Sequence, residues 1–330
     1  FSLEAAQILA QTRMSVPLKP DFFLHSYQLK LVLMERQILP KSAYLLVLVI
    51  ASFLLLSCAP AQDPITLGTF NIEWLGDNTP DDRKIRTETD DMRLREVLRD
   101  ADADVLAVQE IENEQAFKRV LSAFSANKSD DKEYHFVMST TGGKQRVGLL
   151  YRKPVELVQV REITRIAVEE GRTRAGLLGL FRVGNVEWFM LAVHLKSTSR
   201  ADSTPELVER SHKLRTAQAA QLRAFADSLR QAQPSAALII AGDFNDSPQK
   251  KHTALDTLKS APNLVFLTAD EKSCSLPRLP SIDHIVFNNQ AMKRFVRGTL
   301  RTVNTRAMLS DADAERVSDH CPVLVQITVR

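Results

Sequence analysis

The stretch Ala236-Ala237-Leu238-Ile239-Ile240-Ala241-Gly242-Asp243-Phe244-Asn245-Asp246-Ser247-Pro248 restricts this chain more than any other. Its apolar start, rich in Leu and Ile, has the length of a fully buried strand. Gly242 ends the run, and Asp243 and Asn245 follow with one residue between them. On an extended backbone, residues i and i+2 point to the same side. A carboxylate and a carboxamide therefore leave the end of a buried strand together. A strand closing in a polar Asx turn has the same pattern, so the rest of the chain must separate the two readings.

The arrangement recurs. Ile65, Leu67 and Thr69 alternate with Thr66, Gly68 and Phe70, the period of a strand, and Asn71 and Glu73 stand at i, i+2 near its end. Asp104 to Glu110 is a second buried strand closing on an acid, and Val186 to His194 a third closing on a histidine. Ile282 to Phe287 carries Asp283 within it. Val317-Ser318-Asp319-His320-Cys321-Pro322 precedes a terminal strand, Pro322 to Val329. Arg146–Tyr151, Val155–Ile163 and Ala175–Val183 fill the middle with further strands. Helices are expected over 83–101, 114–125 and 205–231, the last with Leu207, Leu214, Leu222, Phe225 and Leu229 as its core stripe.

A polar residue beside an apolar strand is costly to bury unless it is paired or metal-bound. One such residue means little. Asn71, Glu73, Glu110, His194, Asp243, Asn245, Asp283, Asp319 and His320 together point to a site. Carboxylates and carboxamides supply oxygen ligands for Mg²⁺ or Ca²⁺. Histidines move protons and contact phosphate.

Upstream of these strands the chain changes character. Met34 to Lys41 is a short charged lead, and Ala43 to Leu56 is uncharged and mostly apolar, ending in Leu55-Leu56-Ser57-Cys58. The run is shorter than the roughly 20 residues a bilayer-spanning helix needs. It suits the apolar centre of a signal peptide. Its end resembles a bacterial lipobox, in which the cysteine is acylated and heads the mature chain. Cleavage near Ala59 or Ala61 in a plain secretory signal is the alternative, and a buried core helix is a third. Residues 1–33 precede Met34, a candidate start, and read as untranslated or dispensable sequence. Residues 34–57 are then the signal peptide and 58–64 a linker.

Residues 1–57 hold five of the 43 Lys/Arg and three of the 40 Asp/Glu, so the remainder carries a net charge of +1. That is no broad nucleic-acid footprint. The basic stretches Arg161 to Arg174 and Lys293 to Arg306 read mainly as solvated faces. Beyond Cys58, the other two cysteines are Cys274 and Cys321. They lack zinc-site spacing, and whether they pair stays open at this point.

Six blocks now stand in order: Thr69-Phe70-Asn71-Ile72-Glu73, Val108-Gln109-Glu110, Val193-His194-Leu195-Lys196-Ser197, Gly242-Asp243-Phe244-Asn245, Ser281-Ile282-Asp283-His284 and Ser318-Asp319-His320-Cys321-Pro322-Val323. Each is weak alone. In this order they resemble the endonuclease/exonuclease/phosphatase superfamily, with its deoxyribonuclease I-like and exonuclease III-like members, over residues 65–330. The resemblance implies an α/β four-layer sandwich, two mixed β-sheets face to face with helices on both outer faces. It also implies phosphoester hydrolysis dependent on a divalent metal, Mg²⁺ with Mn²⁺ or Ca²⁺ as alternatives.

The resemblance assigns roles as well. Glu110 is the principal metal ligand, and Glu73, Asn71 and Asp319 complete or support the metal and phosphate site. Asp243 orients or deprotonates the attacking water, and Asn245 holds it and a phosphate oxygen. His320 contacts the scissile phosphate with Asp283 behind its imidazole, and His194 contacts the phosphate from the other side. In deoxyribonuclease I-like members a carboxylate often supports that first histidine, and here Gln145 stands in its place. Proton transfer by His194 is therefore less secured than its phosphate contact. Arg174 resembles a substrate-phosphate arginine, within a Thr173-Arg174-Ala175-Gly176 context that departs from the usual pattern; a solvated arginine is the alternative. Lys196 reads equally as a phosphate contact or a surface lysine. His284 should face away from Asp283 and be structural. His25, His135, His212 and His252 read as surface residues, and Trp74 and Trp188 as core or rim aromatics.

The expected function is an exported or lipid-anchored nuclease of broad specificity, with nucleic acid as substrate, the membrane reached through a lipid on Cys58, and no protein partner. A phospholipid or inositol-phosphate phosphatase, or a sphingomyelinase-like phosphodiesterase, would use the same site. A binding module that kept the fold and lost activity is the non-enzymatic alternative; intact acids and histidines argue against it.

Overall fold

Parallel pairing brings the C-terminal ends of neighbouring strands to one side, and this chain uses it twice. β1 (Ile65–Leu75) pairs parallel with β2 (Val105–Ile111), and β7 (Val186–His194) pairs parallel with β8 (Leu238–Asp243). Parallel neighbours need a long crossover. α1 (Glu88–Ala101) lies in the first and α3 (Pro205–Ala232) in the second. α1 begins with a capping box between Thr87 and Asp90, and α3 with a Thr204 cap followed by Pro205. The computed structural model describes residues 63–122, 133–199 and 201–330. The expected upstream segment, signal peptide, Cys58 and His25 lie outside the described residues.

Each pair is the centre of a six-stranded mixed sheet. The first runs β11 (Arg301–Thr302), β12 (Val323–Ile327), β1, β2, β4 (Arg146–Arg152), β3 (Tyr134–Met138). The second runs β5 (Glu156–Ile163), β6 (Gly176–Val183), β7, β8, β10 (Asp283–Asn288), β9 (Leu264–Phe266). The sheets face each other across a core of Leu67, Val105, Val147, Phe181, Trp188, Met190, Ile239 and Phe287. Helices α1 and α2 (Glu114–Leu121) cover the outer face of the first sheet through Leu94, Val97, Phe117 and Val120. Leu222, Phe225 and Leu229 of α3 cover the outer face of the second. This is the expected four-layer α/β sandwich.

The antiparallel members complete the geometry. β10 and β12 start at the end where β8 and β1 finish, in registers Asp283↔Asp243 and Thr69↔Val323. Asp319 and His320, just ahead of β12, therefore arrive at the same end. Gly242 permits the close approach of β7 and β8: a Cβ there would lie 1.9 Å from the Val193 carbonyl oxygen.

One feature differs from the sequence reading, and one pairing it left open is decided. The N-terminal half of α3 does not bury the expected stripe. Leu207 and Leu214 are only half-buried, while Ser211, Arg215 and Gln218 face inward. Those polar groups hold the segment after β7: the Lys196 N–H donates to Gln218 Oε1 at 2.8 Å, and Arg215 Nη1 donates to the Lys196 carbonyl at 2.5 Å. Cys274 and Cys321 form a disulfide, tying the loop before β10 to the residue after His320. No helix among the described residues is long and apolar enough to cross a membrane.

Candidate active site

Asp243 is the hub. It is the last residue of β8, 2% exposed, with His194 beside it on β7 and Asp283 beside it on β10. From the other sheet, Asn71 Nδ2 donates to both Asp243 Oδ2 and Glu110 Oε1, each at 3.1 Å. One carboxamide thus joins the ends of two sheets. Asn245 does close an Asx turn, its N–H donating to Asp243 Oδ1 at 2.8 Å, while its Nδ2 donates to Asp243 Oδ2 and to the Leu195 carbonyl at 3.1 Å. Turn and site are the same structure.

β1 leaves its ladder just before the site. The register with β2 shifts between Asn71 and Leu75, and Glu73 and Trp74 adopt φ of 57° and 55°. Glu110 and Asn245 are also left-handed, at 64° and 53°. Such backbone is uncommon outside glycine and clusters at functional sites. Buried Arg86 holds the bulge: its guanidinium donates to the carbonyls of Ile72, Glu73, Trp74 and Val317 at 2.7–2.9 Å. The Trp74 N–H in turn donates to Glu110 Oε2 at 3.2 Å. Glu73 Oε2 accepts from Lys84 Nζ at 2.5 Å and from the Asp319 N–H at 3.1 Å. Ser318 Oγ donates to the Asn71 carbonyl at 2.8 Å and accepts from the His320 N–H at 3.0 Å. Neither Arg86 nor Lys84 carried a sequence signal: Arg86 works through backbone carbonyls, and Lys84 reaches Glu73 and the Glu315 carbonyl from a loop; Ser318 stood in the sixth block without a role of its own.

The two histidines differ. His320 Nδ1 meets Asp283 Oδ2 at 2.8 Å, and its Nε2 points toward Asp243 Oδ2 at 3.9 Å. Burial would lower the His320 pKa, but the charges of Asp283, Asp243 and Asp319 and the Asp283 hydrogen bond raise it well above its usual value. His194 Nε2 lies 3.5 Å from Asp243 Oδ2 and 3.8 Å from Glu110 Oε1. Its Nδ1 is buried without a hydrogen-bond partner among the described residues. Burial, then the charges of Arg174 and His320, push its pKa well below the usual value. Gln145 does not support it: its Oε1 instead accepts from Arg174 Nη2. Asp243 is raised to about 7, by burial first and by the nearby Asp283 and Glu110 charges, against the opposing pull of His320. His284 is buried, faces Thr268 Oγ1 and the Asp246 carbonyl, and is pushed by burial down to about 4. That is the structural role expected of it.

The site opens on a cleft of about 960 Å³. Glu110, Asp243, His194 and His320 line it with Arg174, Lys196 and Trp74. Arg174 is no freely solvated side chain; its Nη1 is shielded and unbonded among the described residues. Lys196 Nζ donates to the Ser197 carbonyl at 2.6 Å. Asp243, Asp283 and His320 offer one ligand atom each within 4.8 Å of one another, a grouping that can hold a metal ion.

The Endonuclease/Exonuclease/phosphatase family is matched over residues 68–320. The chain belongs to this family. Members of the family are hydrolases of phosphoester bonds and generally use divalent metals. No curated protein matches the chain. Among solved structures, TDP2 from D. rerio complexed with a single strand DNA product is 16% identical, covering 80% of this chain and 99% of that one, TM-score 0.55. The human Nocturnin catalytic domain with bound sulfate is 16% identical, covering 80% and 92%, TM-score 0.54. A family member from Bacteroides vulgatus is 14% identical, covering 82% and 100%, TM-score 0.57. At such identities the likeness shows the fold.

Proposed function

We propose that the chain is an exported, divalent-metal-dependent nuclease that hydrolyses nucleic-acid phosphodiesters by in-line attack of water. The observation that carries this reading is the meeting of Glu110, Asp243 and the Asp283–His320 pair, drawn from both sheets, in one cleft walled by Arg174 and His194. The D. rerio TDP2 neighbour, with its single strand DNA product, supports nucleic acid over lipid.

The residues suit a hard cation. Among the described residues Glu110 accepts hydrogen bonds from neutral donors, Asn71 and the Trp74 N–H, with His194 Nε2 at 3.8 Å, so its charge is left for a ligand at the cleft. Glu73 is already paired with Lys84, which puts it, Asp319 and Asn71 in supporting roles. All are oxygen donors, the choice of Mg²⁺, with Mn²⁺ or Ca²⁺ as substitutes. A cation bound there would neutralise charge developing on phosphoryl oxygens. The closed Asp283–His320 hydrogen bond favours a protonated His320 over metal binding at that cluster.

The chain's own groups then divide the work. Asp243, mounted at the rigid end of β8, takes the proton of the attacking water. Asn245 and Asn71 fix its carboxylate. His320, held protonated by Asp283, faces the phosphate and neutralises charge there. His194, held neutral, donates a contact to phosphate and moves no proton. Arg174 offers Nη1 to a phosphate oxygen.

Export is supported by the apolar run ending at Cys58 and by the Cys274–Cys321 disulfide, since such bonds persist in oxidising compartments. Cys58→Ser should release the protein from membranes or block processing; a mature N-terminus beyond Cys58 would mean plain secretion. The substrate is tested by plasmid nicking, sphingomyelin cleavage and inositol-phosphate release, each with and without EDTA. Nicking that EDTA abolishes is expected. Lipid or inositol-phosphate turnover without nicking would replace the nuclease reading, and inactivity on all three would favour a binding module.

A further inference from the structure

We infer that Trp74 is a stacking surface for the nucleobase beside the scissile phosphate, making single-stranded nucleic acid the preferred substrate. This rests on the nuclease reading and narrows it. Trp74 belongs to no apolar core among the described residues; it stands half-buried on the wall of the cleft. The other tryptophan, Trp188, shows where this chain puts an indole used for packing: 1% exposed, stacked on Phe181 between the sheets.

Trp74 is held out at φ 55°, an unfavourable conformation for a bulky residue. The fold maintains it from both sides of the peptide. Arg86 Nη1 grips the Trp74 carbonyl at 2.9 Å, and the Trp74 N–H bonds Glu110 Oε2 at 3.2 Å. The peptide from which the indole projects is therefore fixed relative to the carboxylate assigned to the metal. Strain kept beside a reacting centre is a sign of use.

The neighbouring charge points the same way. The exposed guanidinium of Arg83 lies over the Trp74 ring, Cζ 4.8 Å from the centroid, and makes no ion pair with the described residues. Arg83 and Trp74 line both the cleft and an adjoining hollow of about 370 Å³, where Lys84 is paired with Glu73 and Arg306 with Asp311 and Glu315, so that among the described residues Arg83 is the cation left for a phosphate beside the ring. An aromatic face beside a cation is how single strands are held: a base stacks and its phosphate meets the cation. A net charge of +1 beyond residue 57 gives little counterion-release affinity for a duplex. Stacking supplies binding that does not depend on a wide basic face, and only an unpaired base offers its face.

Oligothymidylate and an equally long oligomer of abasic phosphodiesters carry the same backbone with and without bases. With divalent metal added, the full chain should cleave oligothymidylate with kcat/KM about tenfold or more above the abasic oligomer, mainly through KM. Trp74→Leu keeps apolar bulk but removes the ring, and should erase that preference. Trp74→Phe restores a ring face and should recover most of it. Both substrates are read on one preparation, so partial misfolding cancels from the ratio. Oligothymidylate should also quench tryptophan emission in the wild type and not in Trp74→Leu. A preference unchanged in Trp74→Leu, with cleavage intact, overturns the inference and leaves the nuclease reading standing. Failure of the wild type to cleave either oligomer overturns both.

Discussion

Asp243 is asked to act as a base from a place where a carboxylate is hard to ionise. With a folded pKa of about 7 against 3.8 for a free aspartate, it binds more protons folded than unfolded between those values. Its contribution to stability is full below the unfolded pKa and lost as pH rises through the folded one. Asp243→Asn should therefore raise Tm relative to the wild type in EDTA, by an amount that grows from pH 4 to beyond pH 7. The same change should lower kcat by roughly 10²–10⁴-fold, the scale for a positioned acid–base group. A fully active Asp243→Asn, or one inactive because unfolded, would contradict the assignment. His320 and Asp283 act as one unit. His320→Ala and Asp283→Asn should each be damaging, and the double variant should cost far less than their product, because both act through one imidazole. Multiplicative losses in kcat would separate the pair.

At the scale of elements, the strands that carry the site were legible and their bends were not. Runs such as Leu238 to Ala241 and Val105 to Val108 announce buried strands, and a polar residue at the close of each marks one end of the sheet. The edge strands β3, β9 and β11 are short or mixed and give no such signal. The bulge at Glu73 and Trp74 depends on Arg86, a dozen residues onward and joined only through carbonyls. Periodicity cannot report that. The inner face of α3 misled for a related reason: Leu207 and Leu214 have helical spacing, but Arg215 and Gln218 are buried instead to hold the segment after β7. The β7–β8 pair also makes a prediction. Gly242→Ala would set a Cβ 1.9 Å from the Val193 carbonyl at a backbone angle of φ 159°. The strands must separate, so urea denaturation should show a loss of about 3 kcal/mol, with activity reduced because His194 and Asp243 lose register. Unchanged stability would mean the strands are more loosely paired than described.

For the molecule as a whole, two sheets are an arrangement for delivering strand ends. Each alone holds half of the constellation: Asn71 and Glu110 on the first, His194, Asp243 and Asp283 on the second, with His320 arriving just before β12. The six motifs in order made that fold legible in the sequence, since each is the end or the beginning of a strand. What they could not reveal was how charge is divided among them: Glu73 compensated by Lys84, His320 by Asp283, and Glu110 by no cation among its hydrogen-bond donors in the described residues. That imbalance is the basis for assigning the metal to Glu110. The most direct test strips the full chain with EDTA and titrates Mg²⁺ or Mn²⁺ back, in the wild type and in Glu110→Gln, following phosphodiester cleavage. The account predicts that the stripped wild type is inactive and fully restored, while Glu110→Gln stays down by about 100-fold or more at the same metal concentrations. Full wild-type activity in excess chelator, or an unaltered metal response in Glu110→Gln, would contradict it.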